Sequence, residues 1–261
     1  SEIVHRLPPR RRDGNKYRSG SVLVVGGAPG LTGAVSLAAE AAFRADAGYV
    51  TVCAPSESLP IVELRLLEAV KRPLEDAFDA AERAGALALG PGLGRGDDAR
   101  QLVRRLLEET DLPAIVDADG LFGFEPVERK APTVLTPHSG ELARLLEVEA
   151  GWVDAHRLDA VHRALERFNC IVLLKGNDTI VVAPGARTLI SAGTPRLATA
   201  GTGDVLTGIV GAFLAKGMEG QLAAATAARV HADAALSAPH GRGLIASEVI
   251  AQLPVVLDAA V

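Results

Sequence analysis

The sequence predicts an α/β protein, a three-layer αβα arrangement in which helices cover both faces of a mostly parallel sheet. Three observations carry this. Short apolar runs rich in β-branched residues alternate with segments of helical period, as in successive βαβ units. The runs are apolar without alternation, the pattern of strands buried on both faces. Apolar residues make up 48% of the 261 residues but aromatics only 3%, so the core must be built from Ala, Val, Leu and Ile.

Taken in order, SVLVVGG (21–27) reads as a buried strand ended by glycines. Residues 33–47 read as a helix with Ala34, Leu37, Ala38, Ala41 and Ala45 on one face, and Glu40 and Arg44 at i,i+4 on the other. YVTVCAP (49–55) and ALALGPG (86–92) are the next strands. Residues 97–109 put Leu102, Val103, Leu106 and Leu107 at helical spacing, with Asp97 and Asp98 in the first turn, where the helix dipole favours carboxylates. PAIVDADG (113–120) is a strand running into polar residues. Residues 155–168 form a helix on Leu158, Val161, Leu165 and Phe168, and CIVLLKG and TIVVAPG are consecutive strands around a short polar turn. In the last third, 204–214 are apolar nearly all round and 222–238 are Ala-rich, so both read as buried helices. Residues 21–261 are expected to form one domain. Residues 1–20, with Arg6, Arg10, Arg11, Arg12, Lys16 and Arg18 among prolines, are expected to form a basic arm, either solvated over the surface or rimming a phosphate-rich ligand.

Charge and composition remove several functions. Asp and Glu outnumber Lys and Arg by 32 to 27, and a net acidic chain without aromatic–basic interleaving is a poor nucleic-acid binder. Cys53 and Cys170 are too few for a disulfide framework, have no metal-ligand spacing, and read as small core residues. No apolar run reaches the roughly 20 residues that span a bilayer. The first residues lack the apolar stretch of a secretory signal, so a cytoplasmic protein acting on small molecules is expected. None of the five lysines follows a glycine, which excludes a Walker A loop. The glycine clusters at 26–33 and 90–96 never give G-x-G-x-x-G, and H-E-x-x-H, C-x-x-C and G-x-S-x-G are absent.

What remains is led by AGTGDVLTG (200–208). Gly201 and Gly203 precede a buried helix whose first turn carries Asp204, so free amides and the positive helix end make an anion site. An aspartate there can take a proton from a hydroxyl attacking a phosphoryl group. The plainer reading is that Thr202 and Asp204 cap the helix. KGND (175–178) makes a good turn between strands. Asp117 and Asp119 lie at a strand end, where open α/β sheets bind ligands, or cap the next turn; neither reads as a base. His138, alone, reads as structural or surface, and Gly92 and Gly94 as tight-turn residues. Arg229 and Asp233 form an i,i+4 pair beside His231. His5, His156, His162 and His240 read as surface, and Trp152 as packing locally.

In order, GGAPGLTGA (26–34), LGPGLG (89–94), VDADGL (116–121), TPHSGEL (136–142), LLKGNDTIV (173–181) and AGTGD resemble the ADP- or ATP-dependent NAD(P)H-hydrate dehydratase family, of ribokinase-like fold, from about Asn15 to the C-terminus. The resemblance implies repair of the S-epimer of hydrated NAD(P)H: a nucleotide, ADP before ATP, phosphorylates the ring hydroxyl, and phosphate then leaves. It implies Asp204 as the base, which also contacts the hydrated nicotinamide. Lys175, Gly176, Asn177, Asp178 and Thr179 would hold the adenine nucleotide, and Gly201, Thr202 and Gly203 its phosphates. Ala34, Gly92, Gly94 and His138 would line the dinucleotide site. Glu141 would either orient a magnesium-bound water or stabilise a helix start. Mg2+ is expected with the nucleotide, with no protein ligands assigned to it, and the family suggests a homotetramer without nucleic-acid or membrane partners. Two departures stand out: NKYRSG (15–20) where the family often has a His-Lys-Gly type segment, and Ser139 where proline is common. A fused epimerase domain, present in some relatives, is not expected with about 20 residues before the first strand. The rivals are a kinase for vitamin-like alcohols on the same fold and an adenylate-binding regulator without catalysis.

Overall fold

The strands form one sheet in a computed structural model that describes residues 20–259. The basic arm expected at the N-terminus lies, apart from Gly20, outside the described residues. In chain order the strands are β1 (Ser21–Val25), β2 (Tyr49–Ala54), β3 (Val70–Pro73), β4 (Ala86–Leu89), β5 (Ala114–Val116), β6 (Thr133–Leu135), β7 (Ile171–Leu174), β8 (Asp178–Val182) and β9 (Leu189–Ala192). Their spatial order is β3-β2-β1-β4-β5-β6-β7-β8-β9. β1 to β7 run parallel, and β8 and β9 add an antiparallel edge, with Leu174 opposite Ile180 and Thr179 opposite Ser191.

The helices are α1 (Thr32–Arg44), α2 (Leu59–Arg65), α3 (Ala77–Ala81), α4 (Asp97–Glu109), α5 (Ser139–Leu146), α6 (Ala150–Ala155), α7 (Arg157–Phe168), α8 (Thr202–Ala215), α9 (Gly220–Ser237) and α10 (Ala246–Asp258). Side chains of a strand alternate between faces, and β1 shows where they go. Val22 and Val24 pack into a core built with α1, α8, α9 and α10, while Leu23 and Val25 pack with α3 to α7. The two cores and the sheet between them are the three expected layers. Contact between α1 and α8 is backbone-close: a Cβ on Gly208 would lie 2.1 Å from the Ala38 carbonyl oxygen.

Three expectations need correction. The strand expected over 113–120 stops at Val116, because Ala118 takes a left-handed φ of 50° and residues 118–121 tighten into a 3-10 turn. The helix expected over 155–168 starts at Arg157, since His156, at φ −131°, separates it from α6. The last buried helices begin earlier than expected, at Thr202 and Gly220. Among the described residues no helix is long and apolar enough to cross a membrane.

Candidate active site

Strand order sets the site's position. From β1 the chain builds outward to β2 and β3, then crosses back to β4 and proceeds the other way. The loops after β1 and β4 therefore diverge at the carboxyl edge, the place where open α/β sheets bind ligands. Here the two glycine-rich loops also hold each other. The Gly27 amide donates to the Pro91 carbonyl (3.0 Å) and the Ala28 amide to that of Gly92 (2.7 Å). Gly92 packs on Leu31 and Ala34, with room for no side chain: a Cβ would come within 2.6 Å of the Leu31 oxygen and 3.2 Å of the Ala34 Cβ. Asp119 fixes the far end, accepting from the Gly94 amide (3.1 Å) and from Arg95 Nε (2.8 Å). Ala34, Gly92 and Gly94 thus share one wall.

The start of α8 faces this edge. Gly201 precedes the helix with a left-handed φ of 88°, and no side chain caps the first-turn amides. Thr202 turns away, its hydroxyl donating to the Leu197 and Thr199 carbonyls at 2.7 and 2.8 Å, and Asp204 caps nothing. The plainer capping reading therefore fails, and the first-turn amides are without a side-chain cap.

Beneath that turn lies Lys175, carried on the residue after β7. Its Nζ is 2.8 Å from Asp117 Oδ1 and 3.8 Å from Glu141 Oε2, and only 3.5 Å from where a Cβ on Gly203 would stand. Burial works against the ammonium charge, but Asp117, Glu141 and Asp204 together outweigh it and hold the Lys175 pKa above its ordinary value. Asp204 is pushed up to about 7, first by burial and then by Asp117; Asp119 and Glu141 act in the same direction and Lys175 opposes them. A carboxyl titrating there is matched to general-base work near neutral pH.

The segment after Lys175 is held by a residue that sequence reasoning missed. Arg157, at the start of α7, donates Nη2 to the carbonyls of Lys175 (3.2 Å) and Asp178 (3.0 Å), with the Leu174 carbonyl at 3.4 Å. The Gly193 amide holds the Asn177 carbonyl from the other side (2.6 Å). Gly176, Asn177 and Asp178 are exposed between these clamps, while Thr179 is buried in the hairpin. An arginine opening a helix carries no motif; only the fold brings it under the turn.

His138 is the N-cap of α5. Its Nδ1 accepts from the Gly140 (3.0 Å) and Glu141 (3.3 Å) amides, and Glu141 Oε2 accepts from the His138 amide (2.9 Å), completing a capping box. That geometry assigns the proton to Nε2 on a half-exposed ring. Glu141 takes the helix-start role, one of its two expected ones. Elsewhere the expected Arg229–Asp233 pair is present (2.7 Å), Trp152 stacks on His156, and both thiols are buried. His231 is buried with its Nε2 unpartnered, its pKa pushed down to about 3 by burial and by Lys175. Among the described residues no group of three or more His, Cys, Asp or Glu is arranged to hold a metal ion.

A mostly parallel sheet under helices on both faces, with an open helix start at its carboxyl edge, is the ribokinase-like architecture. A family profile described as NAD(P)H-hydrate dehydratase matches residues 22–255, and the chain belongs to that family. It is 38% identical over 273 residues to the bifunctional NAD(P)H-hydrate repair enzyme Nnr of Moorella thermoacetica, covering 96% of this chain and 52% of that protein. To the ADP-dependent (S)-NAD(P)H-hydrate dehydratase of Xanthomonas campestris it is 33% identical, covering 94% of this chain and 90% of that one. The chain spans about half the length of the bifunctional curated relatives it matches. The crystal structure of the ADP/ATP-dependent NAD(P)H-hydrate dehydratase of Bacillus subtilis, co-crystallised with ATP and Mg2+, superposes with a TM-score of 0.91 at 27% identity, covering 99% and 96% of the two chains.

Proposed function

We propose that this chain is a carbon–oxygen lyase, returning the S-epimer of hydrated NAD(P)H to NAD(P)H at the expense of ADP, with ATP as the alternative donor. The observation that carries the reading is Asp204, half-buried in the uncapped first turn of α8 beside Lys175, with a pKa of about 7. Terminal phosphates of the nucleotide would lie on the amides of Gly201, Thr202 and Gly203 over the Lys175 ammonium, and its adenosine against residues 175–179. Asp204 takes the proton of the ring hydroxyl as that oxygen attacks the terminal phosphorus and the donor's bridging P–O bond breaks. Phosphate then departs with the C–O bond electrons as the ring nitrogen pushes its lone pair in, and loss of a proton from the neighbouring carbon restores the double bond. Hydroxide is a poor leaving group and phosphate a good one, so a kinase-like fold serves a lyase. Ala34, Gly92, Gly94 and His138 line the dinucleotide's side, His138 offering Nε2–H.

Mg2+ would enter with the nucleotide, whose phosphate charge it would offset. Assembly as a homotetramer, a cytoplasmic setting and a single domain over 21–261 belong to the same proposal. Leu64 in α2 and Leu67 just after it, 84% and 83% exposed, are large apolar side chains of the kind an interface between copies covers. The test mixes the protein with hydrated NADH, magnesium and either ADP or ATP, and follows the return of reduced-nicotinamide absorbance. Recovery that needs nucleotide supports the lyase. Folded protein that recovers nothing but phosphorylates a vitamin alcohol would put a kinase in its place.

A further inference from the structure

Asp117 is the most buried carboxylate of the site, 1% exposed at the end of β5, and both its oxygens are used. Oδ1 takes the Lys175 ammonium at 2.8 Å, and Oδ2 the Thr207 hydroxyl at 2.7 Å. That hydroxyl also lies 3.2 Å from the Gly203 carbonyl, and a Cβ on Gly203 would stand 3.8 Å from Oδ2. Its own backbone is fixed: the amide donates to Leu89 (3.0 Å) on the strand before the second glycine loop, and the carbonyl accepts from Gly120 (2.9 Å). A carboxylate 1% exposed, with both oxygens already accepting from Lys175 and Thr207, is closed to a substrate proton and is not the base. It does connect residues 58 and 90 positions away in the chain.

We propose that Asp117 is a positioning residue for the reaction, joining the lysine of the nucleotide segment and the first turn of α8 into one unit whose charge acts on Asp204. The inference rests on the proposed function only for the role of Asp204 as base. The groups facing Asp204 are Asp117 and Asp119 at the end of β5, Lys175 after β7 and Glu141 on α5, with the amides of its own helix start; buried, neutral His231 on α9 faces Lys175. Asp117 and Asp204 are like charges, so removing the first favours ionisation of the second. Release of Lys175 from its partner acts in the same direction.

The experiment uses the whole protein labelled with 13C at aspartate carboxyls, the Asp204 signal being the one lost in Asp204→Asn. In the wild type it should titrate near pH 7, and in the shape-conserving Asp117→Asn its midpoint should fall by about one pH unit. The acid limb of kcat/KM should move down with it, a change that a merely structural carboxylate would not produce. Thr207→Val removes the tether but keeps the charge, and should leave the midpoint in place while weakening ADP binding several-fold by calorimetry. An Asp204 midpoint in the ordinary carboxylate range in the wild type, or one unmoved in Asp117→Asn, overturns the electrostatic half. ADP affinity unchanged in Thr207→Val overturns the tether, and that variant serves even where Asp117→Asn does not fold. NMR and calorimetry need no turnover, so failure of the repair reaction would be seen separately.

Discussion

Two lysine–aspartate pairs brace α8, one at each end, and they differ in their company. At the carboxyl end Lys216 follows the last turn and pairs with Asp46, just beyond α1, at the helix end whose dipole favours a cation. At the amino end Lys175 meets Asp117, but Asp204 and Glu141 crowd the same ammonium, and Asp119 pairs with Arg95. The first arrangement serves packing. Among the described residues the second holds more negative than positive charge, and the surplus falls on Asp204. A fold selected for stability alone has no reason to gather carboxylates there.

The largest effect should come from removing the group that bears the surplus. Asp204→Asn is expected to lose about 10²–10⁴-fold in kcat, the usual contribution of a positioned base. It should also be the more stable protein at neutral pH. Because the Asp204 pKa rises from 3.8 to about 7 on folding, the folded state binds the extra proton between those values. The Asp204 contribution to wild-type stability therefore falls as pH climbs from about 4 to 7, by roughly 1–3 kcal/mol, and the variant should lack it. Chemical denaturation at pH 4.5 and 8 reads the difference.

Second in size is a direct contrast of the two ends. Lys175→Met strands a carboxylate that is 2% exposed and should cost about 3–5 kcal/mol. Lys216→Met leaves an Asp46 that is 28% exposed, far less buried than Asp117, and should cost about 1 kcal/mol. Equal losses would break the comparison. Next, Arg157→Ala should raise the KM for nucleotide about tenfold with a smaller change in kcat, since two carbonyls of the binding segment lose a charged donor, worth about 1.5 kcal/mol. Smallest is the stability change at His138. Its Ala variant should lose about 1 kcal/mol by thermal melting and Asn, which also caps, much less. Both should raise the KM for the hydrated dinucleotide, which separates the ring's cap from its contact.

The layers were legible because their signal is local. Continuous apolar runs marked β1, β2, β4, β7 and β8, and the all-round apolar segments marked α8 and α9. The short strands β3, β6 and β9, three or four residues each, carry too little pattern to stand out. In the candidate site, Asp204 and its glycines stood out because a glycine-flanked helix start is built from neighbours in sequence. Asp117 looked like a strand-end carboxylate and Arg157 like any charged residue opening a helix. Their partners are 58 and 21 residues away, and no spacing rule reaches that far. His138 shows the intermediate case: the T-P-H-S-G-E run holds a capping box, but with histidine in the place usually taken by serine or threonine.

In the proposed reaction the ring hydroxyl leaves as phosphate and not as hydroxide. Hydrated NADH prepared in 18O water carries the label in that hydroxyl, and mass spectrometry of the products shows where it goes. One labelled oxygen is expected in the inorganic phosphate for each NADH restored. Label appearing in water, with unlabelled phosphate, would contradict it and leave the nucleotide a role other than phosphoryl donor.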